Sequence, residues 1–372
     1  MEGDASVETK HNPIEVVSQF QVEGRLTSLT PFGTGHIHDT FCATFDRGGV
    51  PARHILQRIN GKVFRHPPTV MDNIVRVTRH LQSKLGDAPD RQRRAMTVIP
   101  TRSGDFCYRD DAGDYWRCYV FIERASTYDV IASPRQAFEA ARAFGRFQEA
   151  LRDLPLPPLH ETIPGFHDTP TRFAALVQAI EKDVANRARD TTAEIAFALA
   201  REPMIGVLLD LQKAGRMPAR TTHNDTKLNN VLLDDTTGEG ICVIDLDTVM
   251  PGLALNDFGD MVRSAANSGA EDEKDLSKVA LRMDIFEALA RGYLETAGPF
   301  LAPDERSHMA FSAKLISFEN GLRFLTDFLN GDVYYKTRRT EHNLDRCRTQ
   351  FKLVRDIERH EDRMAAFTAS LE

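Results

Sequence analysis

Between residues 134 and 368, six stretches carry apolar residues at the three-and-four spacing of amphipathic helices, and between the third and the fourth lies an island, residues 219–249, which reads as strand, loop and strand. The helical patterns cover 134–152, 171–188, 191–213, 275–296, 309–330 and 341–368. In the first of them Phe138, Ala141, Phe144 and Phe147 share a face. A two-stranded hairpin is marginal by itself, so the island must sit within the helices.

The part before residue 124 has another character. Gly33 and Gly35 precede Thr40-Phe41-Cys42-Ala43-Thr44-Phe45, a β-branched and aromatic run. His54 to Ile59 reads as a further strand, closed by the turn Asn60-Gly61. A helix follows over 68–85, with Val70, Ile74, Val77 and Leu81 on one side. Two more strand-like runs lie at 96–102 and 115–122. A chain of 372 residues exceeds what one core usually organises. The expectation is therefore an α+β chain of two lobes. Residues 1–123 form a small β-rich lobe whose first ~13 residues are flexible. Residues 124–372 form a large, mainly helical lobe beyond a hinge near 121–128.

The island carries the chemistry. It reads Thr221-Thr222-His223-Asn224-Asp225-Thr226-Lys227-Leu228-Asn229-Asn230, then the apolar Val231-Leu232-Leu233. A turn at Thr237 to Gly240 leads into Ile241-Cys242-Val243-Ile244, which ends in Asp245. Such a hairpin brings its outer ends together and sets Asn230 beside Asp245. Phosphoryl transfer uses this set: one carboxylate, Asp225, to take or orient the proton of the attacking hydroxyl, and an amide oxygen and a second carboxylate, Asn230 and Asp245, to hold Mg²⁺ against the phosphates. An Asp, an Asn five residues on and a later Asp at a strand end is the order seen in kinase loops. Asp247 stands close enough to share the metal, and His223 reads as a residue that shapes the loop.

Composition narrows the alternatives. The formal charge of −7 argues against a general nucleic-acid binder. No stretch approaches the ~20 apolar residues of a membrane span. The N-terminus lacks the apolar core of a secretory signal, and the five scattered cysteines fit a reducing compartment. A cytoplasmic monomer or small homo-oligomer is expected, with no nucleic-acid or membrane partner.

The segment His223 to Asn230 resembles the catalytic loop of the aminoglycoside phosphotransferase and choline kinase superfamily. More narrowly, the chain resembles the N-acetylhexosamine 1-kinases. The narrower likeness rests on Pro31 to Thr40, Ile55 to Asn60, Ile163 to Asp168, Gly321 to Asp327 and Asn343 to Arg348, and so spans about residues 20–360. It implies a protein-kinase-like bilobal fold. It also implies ATP-dependent phosphorylation of the anomeric hydroxyl of N-acetylglucosamine or N-acetylgalactosamine. Other small-alcohol kinases, of the aminoglycoside, choline or homoserine type, and a catalytically silent nucleotide sensor are the alternatives.

In the small lobe the resemblance implies ATP contacts from Gly33 and Gly35, from Gln57 on the third strand, and from the hinge residues Phe121 and Glu123. The third-strand place usually holds Lys or Arg. Here it falls on Gln57 or Arg58 by register, and Asp72 would be the partner acid on the helix. His36 and His38 follow the glycines as loop residues. In the large lobe the resemblance puts Arg323 and Tyr334 on the sugar, with Asp168 as a third candidate. Read from the residues alone, Arg323 would form a surface pair with Glu319 four positions before it, and the arginines of 346–363 would decorate a solvated helix face.

Overall fold

The computed structural model describes residues 12–33 and 37–371. Gly35 and His36 lie outside the described residues, as does nearly all of the N-terminal segment expected to be flexible. The chain divides into two compact units, which meet in sequence at Glu123 and Arg124.

The first unit is built on an antiparallel sheet. Its strands are β1 (Arg25–Pro31), β2 (Asp39–Arg47), β3 (Val50–Arg58), β4 (Val98–Ile99), β5 (Tyr108–Arg109) and β6 (Tyr115–Val120), in the order β1-β2-β3-β6-β4 with β5 also on β6. Among the described residues its helices are α1 (Pro13–Val17), α2 (Pro67–Leu85) and α3 (Arg91–Arg94). Phe45, Leu56, Trp116 and Cys118 alternate inward from their strands and pack with Val16, Val17 and Phe20. The helix α2 buries Val70, Ile74 and Val77, three of the four residues its apolar face predicts.

The second unit is mainly helical: α4 (Pro134–Ala150), α5 (Thr169–Lys182), α6 (Thr192–Leu199), α7 (Val207–Lys213), α8 (Ala254–Ala265), α9 (Met283–Ala297), α10 (Pro303–Ser307), α11 (Met309–Leu329) and α12 (His342–Ala369). One core runs through α5, α6, α11 and α12 on Phe173, Leu176, Phe197, Phe318, Leu322, Phe351 and Val354. The helices α4 and α9 touch through Gly145 and Gly292. A Cβ on Gly292 would stand 2.1 Å from the Phe138 carbonyl oxygen, so only glycine permits that approach.

The island is present as β9 (Val231–Asp234) and β10 (Gly240–Val243), an antiparallel pair with Val231 opposite Val243. Asp234 accepts hydrogen bonds from the Thr236 and Thr237 amides and so turns the chain. A third strand, β7 (Ala125–Ser126), pairs with β9. Upstream, β8 (Arg220–Thr222) pairs with β11 (Met250–Gly252). Two expectations change. The helix expected over 191–213 is broken: α6 ends at Leu199, a 3₁₀ turn covers Glu202–Met204, and α7 starts at Val207, because Pro203 lacks the amide a continuous helix needs. The helix α8 lies outside the six helices expected in this unit, although Leu255, Phe258, Val262 and Ala265 keep helical spacing. Among the described residues no helix is long and apolar enough to cross a membrane.

Candidate active site

The loop after β8 is held by one carboxylate. Asp257, on α8 and fully buried, accepts the His223 amide at 2.9 Å, the Asn224 amide at 2.7 Å and the Gln148 side chain at 2.6 Å. Its own carbonyl accepts the Thr226 hydroxyl at 2.6 Å. Burial pushes the Asp257 carboxyl up, although the bonds from His223 and Asn224 draw it the other way. His223 shapes the loop with its ring: Nε2 bonds the Ile244 carbonyl at 2.9 Å and Nδ1 accepts the Asp225 amide at 3.3 Å. Asn224 adopts the left-handed conformation with φ 65°, which Asn tolerates better than most residues. That turn delivers Asp225.

The Asp225 carboxylate is partly exposed. Lys227 Nζ lies 3.2 Å from it. Burial would raise the Asp225 carboxyl, but Lys227, His223 and Arg263 together hold the group below the usual carboxylate range. The Asp225 carboxylate in turn raises Lys227. Asp225 is therefore ionised at neutral pH, as a proton acceptor must be.

Asn230 gives its side-chain NH₂ to the Asp225 carbonyl at 2.8 Å, which leaves its amide oxygen as the atom to offer a cation. The Ile244 amide bonds the Asn230 carbonyl at 2.9 Å, so Asp245 follows directly at the mouth of the hairpin. Asp245 is exposed, with φ 59°, and one of its carboxylate oxygens lies within 4.8 Å of one from the buried Asp247. Two carboxylates and an amide oxygen suit a hard, oxygen-seeking divalent cation.

On α11, the Arg323 guanidinium carbon lies 5.2 Å from the Phe166 ring centre and 5.7 Å from that of Tyr335. Among the described residues none accepts a hydrogen bond from it. Glu319 is not its partner: the carboxylate is fully buried, bonds His167 Nδ1 at 2.8 Å and accepts the Thr169 hydroxyl at 2.6 Å. The loop that presents Tyr334 and Tyr335 is pinned by Asp327, whose carboxylate accepts the amides of Val333, Tyr334 and Tyr335 and the side chain of Asn343. Tyr334 packs edge-on against Tyr335 and is 60% exposed, so its hydroxyl can reach a ligand. Asp168 is the N-cap of α5 and accepts the Thr171 amide at 2.9 Å, which uses one of its oxygens.

The model of the phosphotransferase enzyme family, APH, matches residues 28–304, from β1 to α10. The chain belongs to this family. Solved structures similar to this phosphotransferase include an aminoglycoside phosphotransferase from Alicyclobacillus acidocaldarius, with 13% identity, a TM-score of 0.60, and 99% of this chain and 97% of that one covered. A choline kinase from Cryptosporidium parvum follows at 15% identity and TM-score 0.54, with 92% of each chain covered. An ethanolamine kinase from Plasmodium vivax matches at 14% identity and TM-score 0.51, over 91% of this chain and 83% of that one. They establish the kinase-like fold, with a small antiparallel-sheet lobe and a larger helical one.

In the first unit of the phosphotransferase, Gln57 bonds Thr40 and accepts from Arg117, both at 3.0 Å. Arg58 is tied to Asp39 and Asp114. One residue the sequence did not flag is Arg117: it stands opposite Gln57 in register, is 1% exposed, and puts a cation beside the third-strand glutamine. Its one signal was an arginine inside the otherwise apolar run Tyr115 to Val120. Asp72 lies 4.0 Å from Arg76, one turn on. Gly33 has φ 80°, and among the described residues nothing stands within 4 Å of where its Cβ would be. At the end of the unit, the Phe121 amide bonds the Arg53 carbonyl, the Glu123 carbonyl accepts from Arg93, and the Glu123 carboxylate pairs with Arg53. His38 accepts the Asn60 amide and stacks on Phe64. In the second unit Arg346, expected on a solvated face, is 15% exposed and lies over Phe324.

Asp257 was also missed, and it carries a test. Asp257→Ala leaves the donors of His223, Asn224 and Gln148 without their acceptor, at ~1–3 kcal/mol for each buried donor. The melting temperature should fall by at least several degrees, with loss of activity. An unchanged melting curve would show that the loop holds without this carboxylate.

Proposed function

We propose that this phosphotransferase moves the γ-phosphate of ATP, with Mg²⁺, onto the anomeric hydroxyl of an N-acetylhexosamine in the cytoplasm. Asp225 takes the hydroxyl proton, and Asn230, Asp245 and Asp247 would hold the cation. Mg²⁺ at these oxygens would neutralise the phosphates as charge builds on them. Gly33, Gly35, Gln57 and the hinge residues Phe121 and Glu123 are the proposed nucleotide contacts; of the hinge groups, the Phe121 amide and Glu123 carbonyl are already bonded within the unit.

The observation that carries the sugar reading is Arg323. A guanidinium packed near Phe166 and Tyr335, with its donors unspent, is a planar fork suited to two adjacent oxygens of a polyol. The same cation disfavours positively charged acceptors such as choline, ethanolamine or an aminoglycoside. Tyr334 adds a hydroxyl at the edge, and Asp168 is a weaker contact because it caps α5.

Arg323→Ala should lower kcat/KM for the sugar by ~10- to 100-fold, since a hydrogen bond from a charged group is worth ~1.5–3 kcal/mol. The KM for ATP should not change, and Tyr334→Phe should lose less. Steady-state kinetics on both variants measures this. A normal sugar KM and kcat for Arg323→Ala removes the case for hexosamines. The reading as a whole is tested by coupled ADP release with Mg-ATP and N-acetylhexosamines, free hexoses, choline and aminoglycosides. Release driven by a cationic acceptor, and not by N-acetylhexosamines, would replace it. No release with any acceptor would favour a silent nucleotide sensor.

A further inference from the structure

His167 lies between the loop that carries Asp225 and the helix that carries Arg323. Its ring is 5% exposed and Glu319 is fully buried. Nδ1 faces the Glu319 carboxylate at 2.8 Å and Nε2 faces the Asn224 carbonyl at 3.0 Å. The Asn224 carbonyl can only accept, and with Glu319 ionised its carboxylate accepts too, so both ring nitrogens then carry a proton. Burial works against charge on the ring, but the Glu319 carboxylate raises His167 above its ordinary value; His167 holds Glu319 below its own. The other polar groups of Asn224 are engaged elsewhere: its amide on Asp257, and its side chain on Thr222 and Thr248. Its carbonyl belongs to the peptide that leads into Asp225, and His167 holds that peptide from a segment more than fifty residues upstream.

We propose that His167 is a positioning residue for phosphoryl transfer: as an imidazolium it clamps the Asn224–Asp225 peptide to Glu319 on α11, and so fixes the base relative to Arg323, one turn further along the same helix. This rests on the reading of Asp225 as the base. The residue touches no reacting atom. Misplacing a catalytic group by ~1 Å costs up to ~10²-fold, and that is the scale its loss should show.

The test uses the full chain with His167→Ala, His167→Gln and Glu319→Gln. Each is measured for kcat, KM for ATP and melting temperature. ADP release is read in two arms, with N-acetylglucosamine and with water alone as acceptor. Expected for His167→Ala is a ~10- to 100-fold fall in kcat in both arms with the KM for ATP unchanged. His167→Gln, whose amide can still donate to Asn224, should recover part of it. Glu319→Gln should fall with His167→Ala, and it carries the test should the alanine variant not fold. In the wild type, nitrogen NMR of the His167 ring should show both nitrogens protonated at neutral pH. A ring protonated on one nitrogen overturns the proposal. So does a lower melting temperature in all three variants with kcat kept within about twofold, below the scale of a misplaced group. If N-acetylglucosamine drives no release in the wild type, the sugar reading fails alone, because the water arm still reports on His167.

Discussion

Asp225→Asn lowers kcat by ~10²- to 10⁴-fold, the worth of a positioned general base, while ATP still binds. The substitution keeps the shape of the side chain and removes its ability to accept a proton. The loop should survive it, because its bonds to Asp257, Ile244 and Thr248 run through His223 and Asn224 and not through the Asp225 carboxylate. Lys227 would lose the partner that raises it, so a small change in nucleotide affinity through the freed ammonium is the one side effect to control. Single-turnover kinetics at saturating sugar separate the chemical step from binding. An Asn variant that keeps more than about a tenth of the wild-type rate is incompatible with a base worth at least ~10²-fold.

The second large effect is at the cation. Asp245→Ala should cost at least ~10³-fold in activity, because the metal supplies several kcal/mol of charge stabilisation, and the Mg²⁺ concentration for half-maximal rate should rise. Asp245 is exposed and Asp247 buried, so the two are unequal: the exposed carboxylate brings charge to the cation at little cost in desolvation. An oxygen of Asp247 lies within 4.8 Å of one from Asp245, and the double variant Asp245→Ala with Asp247→Ala shows how far it substitutes. Titration of activity with Mg²⁺ measures both. Unchanged metal dependence in Asp245→Ala would falsify the assignment.

What the sequence made legible was local. Asp225, Asn230 and Asp245 are joined by a single hairpin, so strand alternation and one turn were enough to bring the last two together. The first three strands of the small sheet were readable for the same reason: β1, β2 and β3 follow one another in chain and in sheet, with short links between. Contacts across long stretches of chain were not readable. Glu319 sits four residues before Arg323, and local spacing paired them; the carboxylate instead meets His167, 152 residues away, in a buried site where a direct partner outweighs a helical neighbour. Asp257 escaped the sequence because α8 is buried nearly all round, so a buried acid that serves the loop falls where spacing alone puts a solvent-facing residue. The question of Gln57 or Arg58 was posed within one strand, whereas the cation beside Gln57 comes from Arg117 on the neighbouring strand.

Phosphorus NMR of the product tests the account most directly. With Mg-ATP and N-acetylglucosamine, the new phosphate resonance should couple to the anomeric proton, as a sugar 1-phosphate requires. A phosphate coupled to protons at another carbon, or no phosphate ester at all, contradicts it.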